Sequence, residues 1–229
     1  MSKASSQKPS LDHERKSGFP NRIIIGVDEV GRGCLAGPVM AGAFAFTLAE
    51  DLNPPEWLSQ VRDSKLLSSK TREDLYSKLS SWTAHWAVAS ASVAEIDKLN
   101  ILQAAELAMQ RAVDQVLESL RRSFGERVDS QVHILVDGNR VPNHFRGKAT
   151  AIVGGDRLCL SVACASVLAK VQRDELLVRL DQLHPGYGLA VHKGYGTPEH
   201  LKCLAKLRPC PEHRRSFAPV RQALEPKSD

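Results

Sequence analysis

The sequence predicts an α/β domain built on a mixed sheet flanked by helices, with a small helical subdomain appended near the C-terminus. Three observations carry this. Short apolar runs with strand character are followed by longer segments of helical periodicity. Acidic residues and glycines recur where those apolar runs end, as at the strand ends of open α/β sheets. The composition, 42% apolar and 25% charged over 229 residues, is that of a globular chain with a sizeable core. No apolar stretch reaches the roughly 18 residues of a membrane span, and no secretory h-region opens the chain. A cytoplasmic protein is expected.

The elements follow in order. Residues 1–21 have low hydropathy and turn-formers such as Pro9, Gly18 and Pro20, which predicts a disordered lead. Arg22 to Val30 reads as a strand buried on both faces, through Ile23, Ile24, Ile25 and Val27. Pro38 to Phe46 is a second strand. Thr71 to Ser80 is a helix behind a Ser68/Ser69 cap, and Trp82 to Ala89 a third strand by alternation. Asn100 opens a long amphipathic helix to Arg122, with Ala105, Ala108, Ala112, Val116 and Leu120 on one face. Val132–Val136 and Ala151–Val153 are short strands. Leu158 to Leu183 reads as one helix, and Pro198 to Leu207 as another that Pro209 stops. The domains expected are a catalytic body over 22–185, a C-terminal subdomain over 186–222 and a tail from 223.

Charge is uneven. The net +5 comes from +3 in residues 1–22 and +4 in residues 193–229, around a middle of −2. This suits polyanion binding, or a solvated tail with a basic surface helix. Five cysteines without a paired framework point to a reducing compartment. His200 and Cys203, then Cys210 and His213, have zinc-like spacing, yet Cys203 falls on the apolar pattern of Leu201, Leu204 and Leu207.

Chemistry concentrates in three segments. In Gly26-Val-Asp-Glu-Val-Gly-Arg-Gly-Cys-Leu-Ala-Gly37, Asp28 and Glu29 sit near the end of an apolar strand. Neighbouring strand residues point to opposite faces, so the pair shares one site only at a strand end or bulge. The following glycines allow that, and let backbone N–H groups approach a ligand; their spacing does not match the dinucleotide fingerprint. Asp137 closes His133-Ile-Leu-Val-Asp-Gly138, and Asp156 follows Val153-Gly-Gly. Singly, such acids are turn formers or caps, and Asp156 is placed to cap the next helix. Together, four acids without basic partners repel one another unless hard cations neutralise them. Oxygen-only donors select magnesium, manganese or calcium. The third segment, Leu189-Ala-Val-His-Lys-Gly-Tyr-Gly-Thr-Pro-Glu-His200, offers His192 and Lys193 to phosphate and Tyr195 as a stacking ring, or else a loop whose tyrosine packs inward.

These segments, with Asp63-Ser-Lys-Leu66, Asn100-Ile-Leu-Gln-Ala104, Val136-Asp-Gly-Asn139 and Ala165-Ser-Val-Leu-Ala-Lys-Val171, stand in the order of one family. From about residue 22 to 222 the chain resembles bacterial type 2 ribonuclease H, ribonuclease HII. The resemblance implies an RNase H-like mixed sheet and a monomer. It implies cleavage on the 5′ side of ribonucleotides in RNA–DNA hybrids and ribonucleotide-containing duplex DNA, giving 3′-hydroxyl and 5′-phosphate ends. That activity removes RNA primers and misincorporated ribonucleotides. Asp28, Glu29, Asp137 and Asp156 match the acidic set that holds two manganese or magnesium ions. Gly31, Arg32 and Gly33 match the turn that reads the 2′-hydroxyl, and Tyr195 the aromatic against the deoxyribose beyond the junction. Lys65, Ser166 and Lys170 fall in blocks lining the nucleic-acid groove.

There are departures from the family pattern. Gly154 stands where a lysine is usual, Arg157 where a serine is usual and Ala105 where a threonine is common, and Leu160-Ser-Val-Ala-Cys-Ala165 replaces a small Ser/Ala pattern. The 216–229 tail shows no clear clamp-binding pattern. The short lead leaves no room for the extra N-terminal domain of type 3 enzymes. A non-catalytic nucleic-acid module is the competing class, but clustered acids bring a phosphate binder no advantage.

Overall fold

The computed structural model describes residues 8–47, 54–83 and 85–225. Five strands form one sheet: β1 Ile23–Val30, β2 Val39–Phe46, β3 Trp86–Ala91, β4 Val132–Asp137 and β5 Ala149–Ile152. Their spatial order is β3-β2-β1-β4-β5. The first three pair antiparallel, whereas β4 runs parallel to both β1 and β5. The sheet is therefore mixed, as expected, and the C-terminal ends of β1 and β4 lie side by side.

The helices are α1 Asp12–Lys16, α2 Ser69–Trp82, α3 Val93–Leu99, α4 Ile101–Phe124, α5 Gly155–Leu158, α6 Leu160–Leu183, α7 Leu189–His192, α8 Pro198–Leu207 and α9 Ala218–Leu224. Among the described residues, none is long and apolar enough to cross a membrane.

Each face of the sheet has its own core. Ile23, Ile25 and Val27 pack with Ala105, Ala108, Ala112 and Val116 of α4. Ile24, Phe44 and Phe46 pack with Val162, Ala165 and Val167 of α6 and with Leu75 and Leu79 of α2. Each such aliphatic residue, fully buried, stabilises the fold by about 1.5–3 kcal/mol. On the α6 side the helix rides directly on the strands. A methyl group at Gly26 would overlap the Ser161–Val162 backbone, and one at Gly42 the Ala165 carbonyl. These two glycines bring α6 within reach of the end of β1.

Several boundaries differ from the sequence expectation. Residues 8–21 hold α1, and Glu14 is fully buried there, its Oε1 accepting from Ser161 N–H at 2.8 Å and Ser161 Oγ at 2.7 Å. That bond is paired with Ser10 bridging Cys159, so these residues are tied to the body rather than disordered. Residues 1–7 lie outside the described residues. The helix expected from Leu158 breaks at Cys159, whose extended backbone (φ −110°, ψ 126°) separates α5 from α6. Trp82 ends α2 instead of opening β3, because its ring packs against Phe44, Phe46 and Trp57. Strand β5 begins at Ala149 and ends at Ile152, earlier than expected. Helices α3, capped by a Ser92/Glu95 box, and α9 went unpredicted. Helices α2, α4 and α8 have the predicted positions, with Ser68, Asn100 and Thr197 as their side-chain caps.

Candidate active site

Asp28 lies two residues before the end of β1, opposite Gly42 of β2, on the face covered by α6. It is 7% exposed, with the Ser166 hydroxyl near enough to favour its charged form. Burial pushes its carboxyl well above the usual carboxylate range, and Asp137, Glu29 and Asp156 push it further, against the serine. Ser166 also meets Ser64 Oγ at 3.1 Å, which joins α6 to the short 3₁₀ turn carrying Lys65.

Glu29 points to the opposite face but, near the strand end, still borders the same cleft. Its Oε1 accepts from Arg32 at 3.0 Å. Asp137 is the last residue of β4. Its Oδ1 accepts from the Gly155 N–H at 2.6 Å, so the turn after β5 is tied to the end of β4. Burial raises its carboxyl too, the Gly155 and Asp156 amides oppose the rise, and Glu29 adds to it.

Asp156, in α5, is 7% exposed. Its Oδ2 lies 4.0 Å from Lys65 Nζ and its Oδ1 3.9 Å from Arg157 Nε. Burial, then Asp63 and Asp137, raise its carboxyl. It does not cap α6, whose early Ser161 N–H is taken by Glu14. The break at Cys159 leaves α5 as a separate turn, with Asp156 beside Lys65.

The four acids are thus near enough to feel one another electrostatically. Among the described residues no three His, Cys, Asp or Glu groups converge tightly enough to ligate a single ion as they stand. The donor chemistry nonetheless fits a hard divalent cation: only carboxylate oxygens, mutually repelling, of which those of Asp28, Asp137 and Asp156 are raised and would be returned to the charged form by a cation. Glu29, Asp28, Asp137 and Asp156 would hold it.

Asp28 and Glu29 open onto a cleft of about 430 Å³ that Gly31, Arg32, Gly33, Lys65, Ser166 and Lys170 also line. Lys65 is exposed, and although burial opposes its charge, Asp28, Asp63 and Asp156 raise its ammonium. Lys170 pairs with Asp174 at 2.7 Å. Tyr195, 42% exposed, closes the far end, its backbone bridged to Cys34.

His192 is not turned to the cleft as expected. Its Nε2 donates to the Tyr187 carbonyl at 2.7 Å, its Nδ1 accepts from Gly194 N–H at 3.2 Å, and its ring stacks on His200 at 4.1 Å. Both nitrogens are spent on shaping the Tyr195 loop. Lys193 sits in the left-handed region, its Nζ 3.4 Å from the Asp174 carbonyl, beside Arg72. The zinc-like spacing yields no metal cluster among the described residues: His200 and His213 bond each other, and Cys203 packs with Leu177 and Leu180.

Two buried arginines escaped sequence reading. Arg173 donates to the carbonyls of Lys193 (2.9 Å), Ala36 (3.2 Å) and Pro38 (3.3 Å). Arg214 donates to those of Gly31 (2.7 Å), Arg32 (2.9 Å) and Gly37 (2.9 Å). The one available signal, a basic residue inside the apolar run of α6, marks only Arg173.

The family model described as Ribonuclease HII matches residues 25–220. A ribonuclease HII of Paraburkholderia xenovorans (strain LB400) is 45% identical over 222 residues, 96% of this chain and 80% of that protein. One of Burkholderia mallei (strain SAVP1) is 46% identical over 220 residues, 95% of this chain and 92% of that protein. Among solved structures, the ribonuclease H2 of Pyrococcus horikoshii OT3 is similar with a TM-score of 0.66 at 26% identity, covering 88% of this chain and 96% of that one.

Proposed function

The chain belongs to the ribonuclease HII family and is a ribonuclease H hydrolase; from that premise we propose that it cuts on the 5′ side of ribonucleotides, in RNA–DNA hybrids and at single ribonucleotides in duplex DNA. The observation that supports this reading is that Asp28 and Glu29 line one cleft with the Gly31–Gly33 turn, and that Asp137 and Asp156 are near enough to act on Asp28 electrostatically. Manganese or magnesium, bound in pairs by Asp28, Glu29, Asp137 and Asp156, would supply Lewis-acid activation of water and charge stabilisation at the leaving oxygen.

The side chains do the rest. Water adds to phosphorus and the bond to the 3′-oxygen breaks, leaving a 3′-hydroxyl and a 5′-phosphate. Ser166 steadies Asp28, and the Gly155 amide steadies Asp137, so the carboxylates do not swing apart. Lys65 and Lys170 face the cleft as counter-charges to a phosphate backbone. The backbone of Gly31-Arg32-Gly33 is suited to the 2′-hydroxyl, the group that separates RNA from DNA, and backbone donors make that recognition independent of base. Tyr195 offers its exposed ring to the adjoining sugar. The cell would use this activity to clear RNA primers and misincorporated ribonucleotides, with the chain acting as a cytoplasmic monomer.

The test is direct. The full chain is incubated with magnesium or manganese and a labelled DNA duplex holding one ribonucleotide. We expect one cut, 5′ to the ribose, with 3′-hydroxyl and 5′-phosphate ends. A duplex left intact with both metals, or cut equally when all-DNA, would refute the reading.

A further inference from the structure

Arg214 has no exposed surface, and among the described residues no carboxylate pairs with it. A buried cation without an anion is costly unless every donor is used well. Its partners are peptide carbonyls, and two of them, Gly31 and Arg32, are consecutive residues of the turn beside Asp28 and Glu29.

Peptide geometry gives those two bonds a directional consequence. In a planar trans peptide the C=O of one residue and the N–H of the next point in opposite directions. A guanidinium that draws the Gly31 and Arg32 oxygens inward therefore turns the Arg32 and Gly33 N–H groups outward. Neither N–H has a hydrogen-bond partner among the described residues, and both residues border the cleft. A cation on the oxygen side also polarises each peptide and strengthens its N–H as a donor.

The arginine is itself held. Its own N–H donates to the Leu35 carbonyl at 2.9 Å. Asp97 of α3 accepts from the Arg215 and Ser216 amides and the Ser216 hydroxyl, and the Arg214 guanidinium lies over the Phe217 ring at 5.2 Å. From the other side, Arg173 lies where a Gly31 side chain would be, so that position, at φ +89°, admits only glycine.

We infer that Arg214 is a positioning residue that holds the Gly31 and Arg32 carbonyls inward and so presents the Arg32 and Gly33 amides as a donor pair for a sugar hydroxyl. The inference rests on the proposed reading of that turn and adds the group that sets its polarity. It predicts that loss of the three-pronged donor blurs the choice between ribose and deoxyribose more than it weakens duplex binding.

The experiment uses the full chain silenced by Asp137→Asn, with magnesium. Affinities are measured for a duplex with one ribonucleotide and for its all-DNA counterpart. The silenced chain should prefer the ribonucleotide by about tenfold, as one or two hydrogen bonds allow. Adding Arg214→Lys, which keeps the charge but not the fork, should bring that preference below about threefold while all-DNA affinity stays within about twofold. An undiminished preference in a variant that melts within a few degrees of its parent overturns the role of Arg214. A silenced parent with no preference instead removes the reading of the turn, and this inference with it.

Should the lysine variant fail to fold, amide hydrogen exchange on the silenced chain decides. The Arg32 and Gly33 amides should exchange freely without ligand and be protected by the ribonucleotide duplex but not by DNA. Protection without ligand overturns the inference.

Discussion

The Nε2 atoms of His200 and His213 lie 3.0 Å apart, so only one of them carries a hydrogen there. His200 donates through Nδ1 to the Tyr195 carbonyl at 2.9 Å, which leaves its Nε2 as the acceptor and His213 as the donor. His213 in turn receives the Cys210 N–H on Nδ1 at 3.1 Å. A second proton has no place in this chain of bonds without breaking one.

Acid should therefore undo the Tyr195 loop. Burial pushes His213 down to about 4 from an ordinary 6.5, with His200, His184 and His192 adding repulsion, and burial lowers His200 as well. The folded state binds fewer protons than the unfolded one between those values, so stability rises with pH. The contribution is complete above about 6.5 and lost as pH falls toward 4, on the order of 3 kcal/mol for His213. Urea melts at pH 7.5 and 5 should show it, and His213→Phe should flatten the difference. An identical slope in that variant contradicts the assignment.

Asp137→Asn should lower cleavage by about a thousandfold or more while duplex binding persists, since a carboxylate proposed to hold a divalent cation is removed and the proposed backbone contacts remain. Gel shift alongside single-turnover cleavage separates the two. Retained cleavage would remove Asp137 from the metal-holding set.

Tyr195→Ala should slow cutting at a single embedded ribonucleotide by about tenfold, the worth of one stacked ring. The ring is 42% exposed, so melting temperature should hardly change. An unchanged rate would leave the ring without its assigned role.

Gly42→Ala should destabilise the fold by about 3 kcal/mol or more, because the obstacle is the Ala165 carbonyl on a helix that cannot shift without losing its core contacts. A melting temperature within a degree of the parent would show that α6 does give way.

Glu14→Ala should cost about 1–3 kcal/mol, leaving the Ser161 N–H and hydroxyl without their buried acceptor. Glu14→Gln keeps an acceptor and should recover much of the loss. Equal stability of all three chains would mean that α1 is not bound in solution.

The parts legible in the sequence were those encoded locally. Asp28, Glu29 and Asp137 announced themselves by interrupting apolar strands, and the caps of α2, α4 and α8 by residue type. What stayed hidden depends on partners far along the chain. Glu14 looks like part of a polar lead until Ser161, 147 residues away, is set beside it. The break at Cys159 is silent because hydropathy does not change across it. His192 looks like a phosphate ligand until Tyr187 and Gly194 claim its nitrogens. Arg214 counted only toward the basic C-terminal region; its bonds to residues 31, 32 and 37 span up to 183 positions.

That long reach bears on biosynthesis. The turn at residues 31–33 leaves the ribosome well before Arg214, whose guanidinium donates to the Gly31 and Arg32 carbonyls. A nascent chain can therefore pair β1 with β2 while the Gly31 carbonyl still lacks its buried donor, a contact that spans 183 positions.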